Sequence, residues 1–142
     1  MILALLLAAQ ATASPAACPL PPPSPMLSGV TLAIGQGVRA ALLPGDTVRF
    51  PVAPTKQAKP GTHGGAFAFE VAAAGRYRVS LGAGAWIDVV QGTRVMAAVG
   101  HGHADGCSPY RKRVDFALKP GRYVLEVSGS ETAVLAMMIA PA

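Results

Sequence analysis

This sequence has no apolar run of membrane-spanning length, no helical period and no catalytic signature, and each absence narrows what it encodes. The apolar stretch from Ile2 to Ala9 falls well short of the roughly 20 residues a membrane span needs. Nowhere do apolar residues recur with the 3.6-residue helical period over about eleven positions. Even Ala72-Ala73-Ala74 is cut off by Gly75 before a helix could nucleate. Nothing resembles a nucleophile elbow, a phosphate-binding loop or a paired-carboxylate hydrolase, and this points away from an enzyme. Acidic residues are few as well: seven Asp and Glu face twelve Lys and Arg, a net charge of +5. Such a balance suits an anionic envelope surface or an acidic glycan as partner.

What is present begins with a short apolar core, then Ala11-Thr12-Ala13 and Ser14-Pro15, the layout of a secretory signal peptide over residues 1–13. No Lys or Arg precedes the core, an atypical feature. Residues 14–27 form a proline-rich arm (Pro19, Pro21, Pro22, Pro23, Pro25) that cannot join a helix or a central strand. Residues 28–142 remain as a single domain. The expected address is the periplasm or the exterior, with no transmembrane span after cleavage and no nucleic-acid partner. In an exported chain the two cysteines, Cys18 and Cys107, read first as a disulfide. Closing that loop of about 90 residues would stabilise by about 4–5 kcal/mol on the chain-entropy account. The alternative is a lipoprotein anchored through Cys18, which would leave Cys107 as a thiol.

Strand signals recur at residues 30–34, 38–43, 47–52, 66–71, 76–81, 85–91, 95–99, 114–118, 123–127 and 133–139, each bounded by Gly or Pro. Short alternating strands at this spacing predict an all-β fold, an antiparallel β-sandwich of jelly-roll type. The run from Phe69 through Gly75-Arg76-Tyr77 to Val79 is echoed from Phe116 through Gly121-Arg122-Tyr123 to Leu125. Each copy reads as strand, glycine turn, Arg-Tyr, strand, and predicts a pair of equivalent hairpins.

The densest chemistry lies in GHGHADGC, residues 100–107. On a strand, His101 and His103 would project to one side and could ligate Zn, Cu or Fe, with Asp105, Asp88 or the distant His63 as a third ligand. The competing reading is a glycine-rich loop tied down by Cys107, with no cofactor at all. Trp86 and Asp88 share a strand face and could form a sugar-stacking platform, with the carboxylate as hydroxyl acceptor. The alternative is a core tryptophan with Asp88 paired to Arg111 or Arg113, since a buried lone carboxylate is costly. Tyr110, Arg111, Lys112 and Arg113 form the one dense basic cluster, either a phosphate or acidic-glycan contact or a solvated turn. The candidate ligand face is therefore Trp86, Asp88, Tyr110, Arg111 and Arg113.

Gly75-Arg76-Tyr77-Arg78-Val79-Ser80-Leu81 followed by Trp86-Ile87-Asp88-Val89-Val90 resembles the bacterial pre-peptidase C-terminal domains over roughly residues 45–140. That resemblance implies a jelly-roll-like sandwich with a non-catalytic accessory or binding role. His63-Gly64-Gly65, the Gly84–Val90 run, Gly100-His101-Gly102-His103 and Cys107 are similar to a group of small exported bacterial proteins. Some of those bear the name homogentisate dioxygenase, which implies iron held by two histidines and a glutamate. Here Cys107 and Ser108 stand where that glutamate belongs and no histidine follows His103, so these residues do not carry the activity. The expectation is an exported, non-catalytic binding or envelope-associated protein. A small metal-binding protein using His63, His101 and His103 is the alternative, and a metal-dependent oxygenase is a remote third.

Overall fold

In Arg76-Tyr77-Arg78-Val79-Ser80-Leu81 every second side chain is apolar, so a strand there hides Tyr77, Val79 and Leu81 and presents Arg76 and Arg78 on its other side. The computed structural model of the chain, which describes residues 24–27, 29–103 and 107–142, contains that strand and ten others. In chain order the first are β1 (Met26–Leu27), β2 (Val38–Ala41), β3 (Leu43–Pro44), β4 (His63–Val71), β5 (Gly75–Leu81) and β6 (Trp86–Gln91). They continue as β7 (Arg94–Val95), β8 (Ala98–His103), β9 (Lys112–Leu118), β10 (Gly121–Ser130) and β11 (Val134–Pro141). The expected leader, most of the proline-rich arm, Asp105 and Cys18, and with Cys18 the expected bridge to Cys107, lie outside the described residues.

Two sheets result, in the orders β1-β2-β11-β5-β9-β8 and β3-β4-β10-β6-β7. Every pairing is antiparallel except the short one between β1 and β2. The chain fills β2-β11-β5-β9 and β4-β10-β6-β7 by passing back and forth between the sheets, which is the strand order of a jelly roll. The all-β sandwich expected from the alternation is the fold. Its core joins Phe69, Val89, Leu125 and Val127 from one sheet to Val79, Leu81, Phe116, Leu135, Met137 and Ile139 from the other, all buried. Each such side chain stabilises by about 1.5–3 kcal/mol relative to its exposed state.

The internal echo has a different meaning from the hairpins it predicted. β4 and β5 belong to different sheets, as do β9 and β10, so each Gly-Arg-Tyr turn carries the chain across the sandwich. The partners are exchanged between copies: Tyr123 lies opposite Phe69, and Tyr77 opposite Phe116. The Phe69 and Tyr123 rings stack with centroids 5.6 Å apart. Each tyrosine hydroxyl donates back to a carbonyl four residues upstream, Tyr77 to Ala73 at 2.7 Å and Tyr123 to Lys119 at 2.8 Å. These are two tyrosine corners, which pin the turns and satisfy the phenols inside an apolar core.

Two expected strands are broken where a segment changes partner, and two others do not form. Residues 38–43 part after Ala41, and Leu43–Pro44 joins the opposite sheet. Residues 95–99 divide the same way, Val95 pairing with β6 and Ala98 with β9. Residues 47–52 form no strand at all. A 3-10 turn at Gly45–Thr47 opens a long segment that crosses the outer face of the five-stranded sheet. Pro51 and Pro54 lack the N–H groups a ladder would need. Residues 30–34 lie beside β4 but contribute only the isolated Thr31–Ala68 bridge.

Candidate functional site at the Trp86 rim

Along β6, Ile87 and Val89 point into the core, which turns Trp86, Asp88 and Val90 to the outer face of the five-stranded sheet. The crossing segment covers that face and is held by two carboxylates. Asp88 accepts the Thr55 backbone N–H at 2.9 Å and the Thr55 hydroxyl at 2.6 Å. Trp86 Nε1 donates to the same Thr55 Oγ1 at 2.8 Å, completing a chain from indole through hydroxyl to carboxylate. Directly across the ladder from Asp88, Glu126 accepts the Val52 N–H at 2.9 Å. Its second oxygen is buried without a hydrogen-bond partner. Burial pushes the Glu126 carboxyl above its ordinary value; the Val52 N–H opposes this, and the neighbouring Asp88 adds to it.

Fixing Thr55 also places Lys56, whose Nζ stands 5.3 Å from the Trp86 ring centre. Lys112, the first residue of β9, brings a second ammonium to 5.4 Å from the same ring and donates to the Ala85 carbonyl at 2.5 Å. Burial, and behind it repulsion from Lys56, pulls the Lys112 ammonium below the usual lysine range. Trp86 and Lys112 together separate two clefts. One, of about 380 Å³, also takes in Lys56, Gly84 and Ser128, with the exposed Glu131 at its rim. The other, of about 280 Å³, is closed by Met96, Val114 and His101. Both ion pairs found among the described residues lie elsewhere, on Asp115.

The remaining expected site residues are dispersed. His101 and His103 do share one side of a strand, β8, at the free edge of the six-stranded sheet, opposite Val114 and Lys112. His103 Nδ1 is 3.2 Å from the Arg111 carbonyl. His63 belongs to β4 in the other sheet and lines a separate cavity of about 690 Å³. Among the described residues no three His, Cys, Asp or Glu side chains come together, so the two-histidine-one-carboxylate set of an iron oxygenase is not assembled by them. The expected pairing of Asp88 with Arg111 or Arg113 is replaced by Thr55, because Asp88 faces the crossing segment and not β9. Arg113 lies on the outer face of the opposite sheet and donates to the His103 carbonyl at 2.6 Å. The Arg111 backbone N–H donates to Leu81. Tyr110 is half-buried, its hydroxyl close above Gly37. Lys56 and Thr55 were missed, and Lys112 was counted in the basic cluster but not placed on the ligand face. For Lys112 a signal existed, since it stands two residues before the inward Val114 and so starts on that side of its strand.

No family model matches this sequence, and no curated protein matches it. Among solved structures, the pre-peptidase C-terminal domain of a collagenase from Bacillus anthracis is similar in architecture. It is 17% identical, with a TM-score of 0.47, and the match covers 84% of this chain and 99% of that one. The jelly-roll assignment rests on this chain's own strand order. No helix among the described residues is long and apolar enough to cross a membrane.

Proposed function

We propose that the chain is an exported, non-catalytic binding protein whose ligand is an acidic saccharide seated at the Trp86 rim. One observation carries the reading: two ammonium groups stand against a half-buried indole between two clefts. An indole offers a flat face on which a sugar ring can stack. Two like charges beside one another are relieved by an anion, and a sugar carboxylate supplies it. Asp88, expected as a hydroxyl acceptor for the sugar, instead holds Thr55 and thereby Lys56 in place.

Trp86 is the only tryptophan, so tryptophan emission, excited selectively over the tyrosines, reports on this rim alone. Titration with oligogalacturonate is expected to change the emission saturably, and neutral cello-oligosaccharides are expected not to. Lys56→Gln and Lys112→Gln should each weaken binding about tenfold, the loss of one charge-assisted contact. An unchanged emission, or equal affinity in the double variant, sinks the reading. The competing metal reading is favoured only by the same-side projection of His101 and His103, a two-nitrogen set with Lys112 directly opposite His103. Stoichiometric Zn, Cu or Fe retained after dialysis and lost in His101→Ala would decide for it.

A further inference from the structure

The outer face of the six-stranded sheet carries four arginines, Arg39 on β2, Arg76 and Arg78 on β5, and Arg113 on β9. Among the described residues one carboxylate, Asp115, shares that face and is buried beneath two of them. Arg76 Nε donates to it at 2.8 Å and Arg78 Nε at 2.9 Å. Each of the four guanidinium groups has a hydrogen-bond partner in the protein. Arg39 Nε donates to the Ser24 carbonyl at 3.0 Å, and Arg113 donates to the His103 carbonyl at 2.6 Å. Each of these anchors uses one or two of the five N–H groups of an arginine and leaves the rest for other acceptors.

GHGH finds its explanation on the same face. Gly100 and Gly102 lie opposite Asp115 and Arg113, and a Cβ on Gly100 would run into the Arg76 guanidinium. The glycines are the floor over which Arg76 and Arg113 lie, while the histidines between them point to the other side. Between Arg39 and Arg78 runs β11, whose outward residues Ala136, Met138 and Ala140 leave the centre low and uncharged.

We propose that this face docks the protein onto an anionic phospholipid surface. A preorganised guanidinium fork matches phosphate oxygens bidentately, which an ammonium does not. From β2 to β9 the arginines span three strand spacings, about 14 Å, and so form a patch in two dimensions. Such a patch fits an array of headgroups better than a single polymer strand. The proposal uses a surface distinct from the Trp86 rim, and either can fail without the other.

The test is flotation of the whole protein with vesicles of phosphatidylcholine and phosphatidylglycerol at about two to one, against pure phosphatidylcholine. Binding is expected to the mixed vesicles alone and to weaken with salt. Replacing Arg39 and Arg113 by Gln should lower the partition coefficient about fivefold each, roughly twenty-five-fold together. Arg94→Gln/Arg122→Gln removes the same charge from the other sheet and is expected to bind nearly as the parent does. An unchanged urea midpoint will show that the Arg39/Arg113 variant is folded. Absence of binding to the mixed vesicles overturns the proposal. So does an equal loss in the two double variants, which would make the attraction one of net charge.

Discussion

The two outer faces of this sandwich solve the same problem in opposite ways. Each sheet buries carboxylates on its solvent side, Asp88 and Glu126 on one, Asp115 on the other. On the five-stranded sheet the partners are backbone N–H groups and a hydroxyl from the crossing segment, so the acids hold chain in place. On the six-stranded sheet the partners are long arginine side chains, and the face stays open. A buried carboxylate bonded to backbone organises a cover, whereas one bonded to arginines organises a charged surface.

The sharpest way to break that comparison is to remove one acid from each face. Asp88→Ala strips the Thr55 N–H of its acceptor and frees the hydroxyl that orients Trp86. The expected loss is about 3 kcal/mol, the scale of two hydrogen bonds to a charged group. Trp86 emission should shift in the same variant. Asp115→Ala is expected to lose no more than about 1 kcal/mol, because Arg76 and Arg78 are 53% and 38% exposed and remain hydrated without it. Urea midpoints for the two variants settle the point; equal losses would mean that the faces are not built differently.

A second test uses pH, for which the faces carry opposite signs. Glu126 is raised in the fold by burial, so its contribution is complete below the unfolded carboxyl value and is lost as pH rises through the raised one. Asp115 is lowered, first by the Arg78 hydrogen bond and then by Arg76, against the effect of burial. Its contribution is complete above the unfolded carboxyl value and is lost as pH falls through the lowered one. Stability should therefore decline on both sides of the ordinary carboxyl range for different reasons. Glu126→Gln is expected to remove the decline on the higher side only, as followed by urea midpoints across the acid range. If Glu126→Gln leaves the whole profile unchanged, the raised carboxyl is not coupled to folding.

The faces also differ in how much of them the sequence discloses. Arg113, expected beside Asp88, lies on the opposite sheet. Alternation in β5 nevertheless assigned Tyr77, Val79 and Leu81 to the core and Arg76 and Arg78 to the outer side, because period two is a local property of the chain. The jelly roll was legible for the same reason. The crossing segment was not, because residues 47–52 have the composition of a strand apart from Pro51, and its course across the sheet is set by the distant Glu126 and Asp88. The Gly-Arg-Tyr repeat was visible but misread, since a turn within a sheet and a turn between sheets use the same glycine. Trp86 and Asp88 were paired correctly on one face. Lys56 and Lys112 come from other parts of the chain and meet them only through tertiary structure; the spacing from Val114 gives the side of β9 on which Lys112 lies, but not its neighbour.

The smallest expected effect belongs to one of two glycines that play parallel parts. Gly64 lies beneath Phe50 of the crossing segment, and a Cβ there would stand 2.5 Å from the Val127 carbonyl oxygen and 3.2 Å from the Phe50 ring. The closer contact is with the β10 backbone and not with the end of a flexible side chain, so Gly64→Ala should cost about 1–3 kcal/mol, the usual range for overpacking. Gly100 lies beneath the Arg76 guanidinium, the far end of a flexible chain that can swing away. Gly100→Ala is therefore expected to leave the urea midpoint within about 0.5 kcal/mol of the parent, as for an ordinary surface change. Its effect should instead appear in vesicle flotation, as a modest loss caused by one displaced arginine. A large loss of stability in Gly100→Ala would show that Arg76 is part of the framework and not free to move. The open face would then be as rigidly built as the covered one.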